Sequence, residues 1–304
     1  MENKILITGS QGFIGQHLYN KLSPENYVMV STHQYRDLVC EKIHGKYDLV
    51  YNLAGYNGGI QFNSNKEKIF YENTMMGLNT IHHLANNDTK KIVSMVASCA
   101  YPTGLDYLSE EDFFNGPIHE TVEGHGYAKR NIQLISKYIS KETECLAVCA
   151  CPTTVYGPLN HLNPHRTKVL ESIIIKLLSA KKQNLPEVTF FGSGKPLREF
   201  IYVEDLVGLL IKTMLYYTDS NIPINLGSGQ EFTIKHLVEQ INNIIKYSGK
   251  ILWDKTKPDG EFRKRLDVRK MNKLFGNITF TPFEIGLHKT VNWYEEQLCK
   301  KLES

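Results

Sequence analysis

The segment EGHGYAKRN (123–131) places His125 and Lys129 four residues apart at the start of a helical pattern. On a helix such a pair shares one face. A proton-bearing ring beside an ammonium suits proton transfer at a reacting oxygen. Tyr127 offers a second register, but its partner four residues on is Asn131, and two positions along a helix turns the side chain to another face. Histidine serves as an acid only as imidazolium, because imidazolate is not an accessible product in water. Lys129 should push the ring below its ordinary value of about 6.5. Much of His125 would then be neutral at pH 7, which implies an acid-leaning profile or a relay through Tyr127, Ser98 or water.

A second constellation lies at the N-terminus, where ILITGSQGFIG (5–15) sets Gly9, Gly12 and Gly15 directly after a strand-like run. Glycines there allow a tight turn and close backbone approach to a pyrophosphate, whose charge meets free N–H groups at a helix start. Gln11, Phe13 and Ile14 share that turn, and Leu53 and Ala54 end the third strand-like run, so these residues are expected to line a dinucleotide. The second run ends in STHQYRD (31–37), with Arg36 present and no acid before Asp37. A ribose of NADH usually meets a carboxylate at this place, whereas a guanidinium suits a 2′-phosphate, so NADPH is expected.

The elements that must hold these groups alternate. Strands are expected at 4–8, 27–32, 47–54, 91–97 and 145–152, with helices near 13–22, 66–87 and 125–141. The strands are apolar throughout, as in a parallel sheet covered on both faces. The expected fold is α/β, a Rossmann-type doubly wound parallel sheet with a smaller α/β substrate domain. Residues 1–158 are assigned to dinucleotide binding, with 199–228 returning to that domain, and 159–198 with 229–304 to the substrate. In the second part, helices are expected at 166–182, from Val203, and at 233–247 with Thr233 as cap, around a turn in VTFFGSGKPLREF and a strand in PINLGSG (223–229).

Composition narrows the classes. The 304 residues are 41% hydrophobic and 22% charged, and the net charge of +3 argues against a general nucleic-acid or membrane surface. No apolar run approaches the ~20 residues that span a bilayer, and MENKILITGS carries no leader pattern, so a cytoplasmic location is expected. The six cysteines show no metal-ligand spacing, and Cys145, Cys149 and Cys151 in an apolar run read as buried thiols. No metal site is expected.

The chain resembles the extended short-chain dehydrogenase/reductases of the NAD-dependent epimerase/dehydratase family, most closely the GDP-L-fucose synthases. The resemblance rests on TGSQGFIG, NLAGYNGGI (52–60), YENTMMGLN (71–79), ASCAYP (97–102), CPTTVYGP (151–158), FFGSGKPLREFIYVEDL (190–206), INLGSG and KPDGEFRKRLDV (257–268). It implies a bifunctional enzyme. Such enzymes epimerise C3 and C5 of a GDP-4-keto-6-deoxy sugar with a Cys and a His, then reduce C4 with NADPH, a Ser, a Tyr and a Lys. Cys99 and Lys129 match that set. Ala97 stands at the serine, His125 at the tyrosine, and Lys168 in NPHRTKVLE at the histidine.

The changes carry chemistry. Hydride delivery leaves an alkoxide that needs a proton, for which His125 and Lys129, with Ser98 and Cys99 nearby, are the candidates. Lys168 is normally protonated and a poor base. The resemblance therefore implies an NADPH-dependent C4 reductase of a GDP-linked 4-keto sugar, a 6-deoxyhexose or heptose of a surface or capsular polysaccharide, with epimerase activity impaired or lost. A C3/C5 epimerase, a bifunctional enzyme and a catalytically silent sugar-nucleotide-binding homologue remain alternatives. Lys168, Val169, Phe191, Arg198 and Lys257 are expected on the substrate side, with Arg263 and Lys264 extending the cationic rim. Asn73 and Asn57-Gly58-Gly59 are expected to line the cofactor and sugar sides. A homodimer through the 66–87 and 125–141 helices is also implied.

Overall fold

The computed structural model describes residues 3–23, 27–30, 38–39, 43, 45–58, 62–163, 166–257, 259 and 261–303. Strands β1 (Lys4–Thr8), β2 (Tyr27–Val30), β3 (Leu49–Asn52) and β4 (Lys91–Met95) precede the short β5 (Tyr107–Leu108), then β6 (Leu146–Pro152) and β7 (Thr154–Tyr156). The remainder adds β8 (Glu187–Phe191), β9 (Leu197–Tyr202), β10 (Ile224–Leu226), β11 (Glu231–Thr233), β12 (Lys250–Asp254) and β13 (Arg263–Leu266). The helices of eight residues or more in the first half are α1 (Phe13–Leu22), α2 (Lys66–Ala85) and α3 (Glu123–Glu142). They are followed by α4 (Val169–Lys182), α5 (Val203–Tyr216), α6 (Ile234–Ile245), the short α7 (Arg269–Phe275) and α8 (Phe283–Glu303).

The main sheet runs β2-β1-β3-β4-β6-β10, parallel throughout. Its strands are apolar on both faces because both are covered. Ile5, Ile7, Val93 and Val148 pack with Leu18 of α1 and Leu206 of α5. Leu6, Val50, Ile92 and Ala147 pack oppositely, with Met76 of α2 and Ile132 of α3. This is the doubly wound α/β architecture expected from the alternation. Cys145, Cys149 and Cys151 are buried free thiols, all three in the second core.

β1 has β2 on one side and β3 on the other, so the chain reverses direction across the sheet here. Ligands bind beyond the carboxyl ends of strands at such a point. Beyond the main sheet, β9 pairs with β11, β13 and β7, and β12 pairs with β8. Thr233 caps α6, its side chain accepting from the His236 N–H at 3.1 Å, as its type and position suggest.

The second region departs most from expectation. VTFFGSGKPLREF is not a bare turn but contributes β8 and β9 around Gly192–Pro196. β8 alternates buried and exposed residues, a two-residue period that the aromatic run obscures. The helix expected from residue 166 starts at Val169, with Lys168 extended at its N-cap. The expected strand residues 31 and 32 lie outside the described residues. Ile7 is fully buried in a central strand, whereas Leu215 is 61% exposed. Ile7→Ala should cost about 2–5 kcal/mol by denaturant titration, and Leu215→Ala no more than about 0.5 kcal/mol.

Candidate active site

A cavity of about 360 Å³ opens at the carboxyl ends of β1, β3, β4 and β6. One end is the glycine turn. Gly9 adopts φ +67°, and a Cβ there would stand 2.9 Å from the Ala54 backbone. A Cβ on Gly15 would come within 2.2 Å of the Gly9 carbonyl, so α1 closes on the turn only with glycine at this place. The N-cap Gly12 offers no side-chain cap, and the first turn of α1 carries no acid. The N-terminal N–H groups are therefore left to donate to an anion, and the cradle fits a dinucleotide pyrophosphate.

Gly9, Gly12, Phe13, Ile14, Gly15 and Leu53 all line this cavity, together with Ser98, Cys99, His125, Lys129 and Lys168. Several expected residues do not. Gln11 is exposed beside the turn, and Ala54 packs beneath Gly9. The Asn73 amide is spent on local structure: it accepts from Tyr56 N–H at 2.9 Å and donates to the Tyr56 and Ile69 carbonyls, each at 2.8 Å. It positions the loop after β3 rather than facing a ligand. Arg36 and Gly59 lie outside the described residues.

On the substrate side, Lys168 alone of the five expected residues reaches the cavity wall. Val169 turns into the core. Phe191 is 68% exposed, away from the cavity. Arg198 spends a guanidinium N–H on the Leu197 carbonyl at 2.7 Å, and Lys257 is exposed in the turn after β12. Lys264 on β13 instead brings its charge to bear on Cys99, although it also pairs with Glu261. Arg166, His161, Asn160 and Asn63 also line the cavity and carry no motif signal at the sequence level. Arg166 lies over the rings of Tyr56 and Phe62, at 5.9 and 5.6 Å, from a distant part of the chain.

Three contacts assemble the reacting groups. A short 3-10 turn, Ser98–Ala100, leaves β4 and presents Cys99. Arg130 of α3 donates to the Ala100 and Gly116 carbonyls at 2.8 Å each, clamping that turn to the helix. Gly126 permits the approach, since a Cβ there would lie 2.9 Å from the Cys99 carbonyl. Lys129 donates from Nζ to the Met95 carbonyl at 2.9 Å, the last residue of β4. Tyr127 faces elsewhere, into an open depression with Lys66, Phe70 and Asn131.

The cavity is electropositive. Lys129, Arg166 and Lys168 line it, and no Asp or Glu does among the described residues. His125 is only 3% exposed, and its Nδ1 has no hydrogen-bond partner among the described residues. Burial, then the charges of Lys129 and Lys168, push its ring down to about 3. Burial also brings the Lys129 ammonium down to about 8. The Cys99 thiol is pushed up by burial, against the pull of Lys264, Lys168 and Lys129, so it stays a thiol near neutrality.

Residues 5–227 match the model of the NAD dependent epimerase/dehydratase family. The chain belongs to that family. GDP-L-colitose synthase of Yersinia pseudotuberculosis is 30% identical over 96% of this chain and 97% of its own length. GDP-L-fucose synthase of Escherichia coli K12 is 29% identical, covering 97% of each chain. Among solved structures, a GDP-L-fucose synthetase from Naegleria fowleri bound to NADP superimposes with a TM-score of 0.89 at 27% identity, over 97% of this chain and 93% of that one. In this chain the glycine turn and Lys129 line one cavity with His125 and Ala97. No helix among the described residues is long and apolar enough to cross a membrane.

The buried ring sets a pH dependence. His125 ionises at about 3 in the folded chain against 6.5 as its ordinary value. Between those values the unfolded chain binds the extra proton, so stability is full above about 6.5 and falls as the pH drops towards 3. His125→Phe should flatten that decline in denaturation measured from pH 7 to pH 4, the parent losing stability more steeply.

Proposed function

We propose that the protein is an NADPH-dependent reductase of the C4 ketone of a GDP-linked 4-keto sugar, with epimerase activity impaired or lost. The observation that carries this reading is one cavity, lined by no carboxylate among the described residues, that joins the glycine cradle at the start of α1 to His125, Lys129 and Cys99. Bound NADPH would supply the hydride. Gly9, Gly12, Gly15 and the free N–H groups of α1 would hold its pyrophosphate, and Lys129, tethered to Met95, would hold its ribose. Residues 1–158 with 199–228 would carry the cofactor, and 159–198 with 229–304 the sugar nucleotide.

At the reacting carbon, an N–H of the neutral His125 ring polarises the ketone oxygen, a task the family tyrosine would otherwise perform. Lys168 and Arg166 draw the anionic substrate into the cavity. Epimerisation needs a base that removes a proton beside the ketone. Cys99 is held as the thiol, and no carboxylate lines the cavity among the described residues to act as that base. A sugar already carrying its final C3 and C5 configuration is the fitting substrate, made in the cytoplasm for a surface polysaccharide.

Exposed Phe70, Tyr71, Tyr127 and Tyr138 on α2 and α3 would pair with a second copy in a homodimer. Phe70→Asp should then sediment as a monomer, and an unchanged sedimentation coefficient would count against that interface. For the activity, NADPH oxidation at 340 nm with a panel of GDP-4-keto sugars should show turnover. Cys99→Ser should keep kcat within about threefold, whereas Lys129→Met should lose roughly 10²-fold or more. Absence of NADPH oxidation across the panel would remove the reductase reading.

A further inference from the structure

We propose that Arg166 sets the sugar specificity, selecting a GDP-linked sugar whose chain beyond C5 carries a hydroxyl over one that ends there in a methyl group. This rests on the reductase reading above and chooses between the two kinds of sugar, 6-deoxyhexose and heptose, that the family resemblance leaves side by side.

Arg166 lies three residues before α4, yet its guanidinium reaches across the cavity mouth to the loop after β3. The guanidinium carbon stands 5.9 Å from the ring centre of Tyr56 and 5.6 Å from that of Phe62. Those two rings are 4.7 Å apart and tilted by 58° to each other. A guanidinium held against rings keeps its N–H edge for a ligand. Lys68 of α2 stands over Tyr56 as well, at 5.4 Å. The rings that could form an apolar recess for a methyl group therefore already face cations.

The same wall holds an unpaired acceptor. Asn63 is 7% exposed; its Nδ2 donates to the Gly58 carbonyl at 3.1 Å, and its Oδ1 has no hydrogen-bond partner among the described residues. The Nε of Arg166 is likewise without a partner among them, and both residues line the cavity. No carboxylate lines the cavity among the described residues to take the guanidinium fork. A hydroxyl both donates and accepts, so it suits a wall of this kind. A methyl group does neither and would keep water from polar groups that then stay unpaired.

The topology directs the chain on C5 towards this wall. The reacting groups Cys99, His125 and Lys129 gather at the end of β4, with β3 on one side of that strand and β6 on the other. β6 leads into β7, which pairs with β9, and β9 pairs with β13. The cations of the second region, Arg198 on β9 and Lys264 on β13, thus stand on the β6 side. With C4 at the reacting groups, the diphosphate on C1, across the ring, leaves towards those cations. The substituent on C5, next to C4, is left to face the β3 side, where Arg166, Tyr56 and Asn63 meet.

The test is a binding measurement that needs no turnover. GDP-mannose and GDP-6-deoxymannose differ only in the hydroxyl at C6, and both carry a hydroxyl at C4, as a reduced product does. Calorimetry with NADP⁺ present should show GDP-mannose bound on the order of tenfold tighter or more by the parent protein. Arg166→Met should bring the two within about threefold of each other, mostly by weakening GDP-mannose. Equal binding of the two by the parent would overturn the proposal without recourse to a variant. Equal weakening of both by Arg166→Met would place the guanidinium on a part that they share, such as the diphosphate, and would overturn it too. This result is read separately from the reductase assay: failure to oxidise NADPH removes the reductase reading, whereas a lost preference at C6 removes the specificity assignment alone.

Discussion

The site depends on positive charge held in a cavity without a counter-charge. Lys129, Arg166 and Lys168 line a space where no carboxylate is found among the described residues, and burial of Lys129 and His125 removes the water that would screen them. That arrangement costs stability in the free protein and favours an anionic substrate when one arrives. It also decides the protonation states. In this field a second positive charge on His125 is disfavoured, and burial lowers the Lys129 ammonium as well. A tyrosine in the same place would have used the lysine to become more acidic; a histidine is instead kept neutral, because its charged form is disfavoured there.

The scaffold is arranged to hold these charges in place. Burying a lysine next to a histidine requires that neither can swing towards solvent. Lys129 is anchored to the end of β4, Arg130 clamps the turn that carries Cys99, and Gly126 lets α3 and that turn touch. The three glycines of the first turn do the corresponding work for the dinucleotide, since α1 closes on Gly9 too tightly for any side chain at Gly15. Both constellations sit at strand ends beside the point where the chain reverses across the sheet. Apolar packing on its two faces makes that edge rigid.

Much of this was legible in the residues. Strand and helix periodicity gave the doubly wound sheet, with elements ending within a few residues of expectation, and the glycine turn and the His125–Lys129 pair fall on one cavity. What escaped has physical reasons. β8, β9 and β13 are short or half-exposed, and their pairing is decided by partners far along the chain. Arg166 and His161 reach the cavity through a loop that no local period describes. Phe191, Arg198 and Lys257 lie in stretches that match family motifs, yet a motif fixes the neighbourhood of a side chain and not its direction. Asn73, a polar residue in a matching stretch, suits a ligand contact by type, whereas its amide is consumed by the loop it supports. The depth of burial at His125, which controls its chemistry, has no sequence signature.

The central claim is that this cavity moves a hydride to C4 without opening the neighbouring C–H bonds. It is tested most directly by running the reaction in deuterated water with NADPH labelled separately by deuterium on each face of the nicotinamide. Proton NMR and mass analysis of the GDP-sugar product would locate the label. Deuterium at C4 from one of the two labelled cofactors, with protium kept at C3 and C5, is the outcome the account predicts. Solvent deuterium at C3 or C5, or a C4 position that takes up label from neither cofactor, would contradict it.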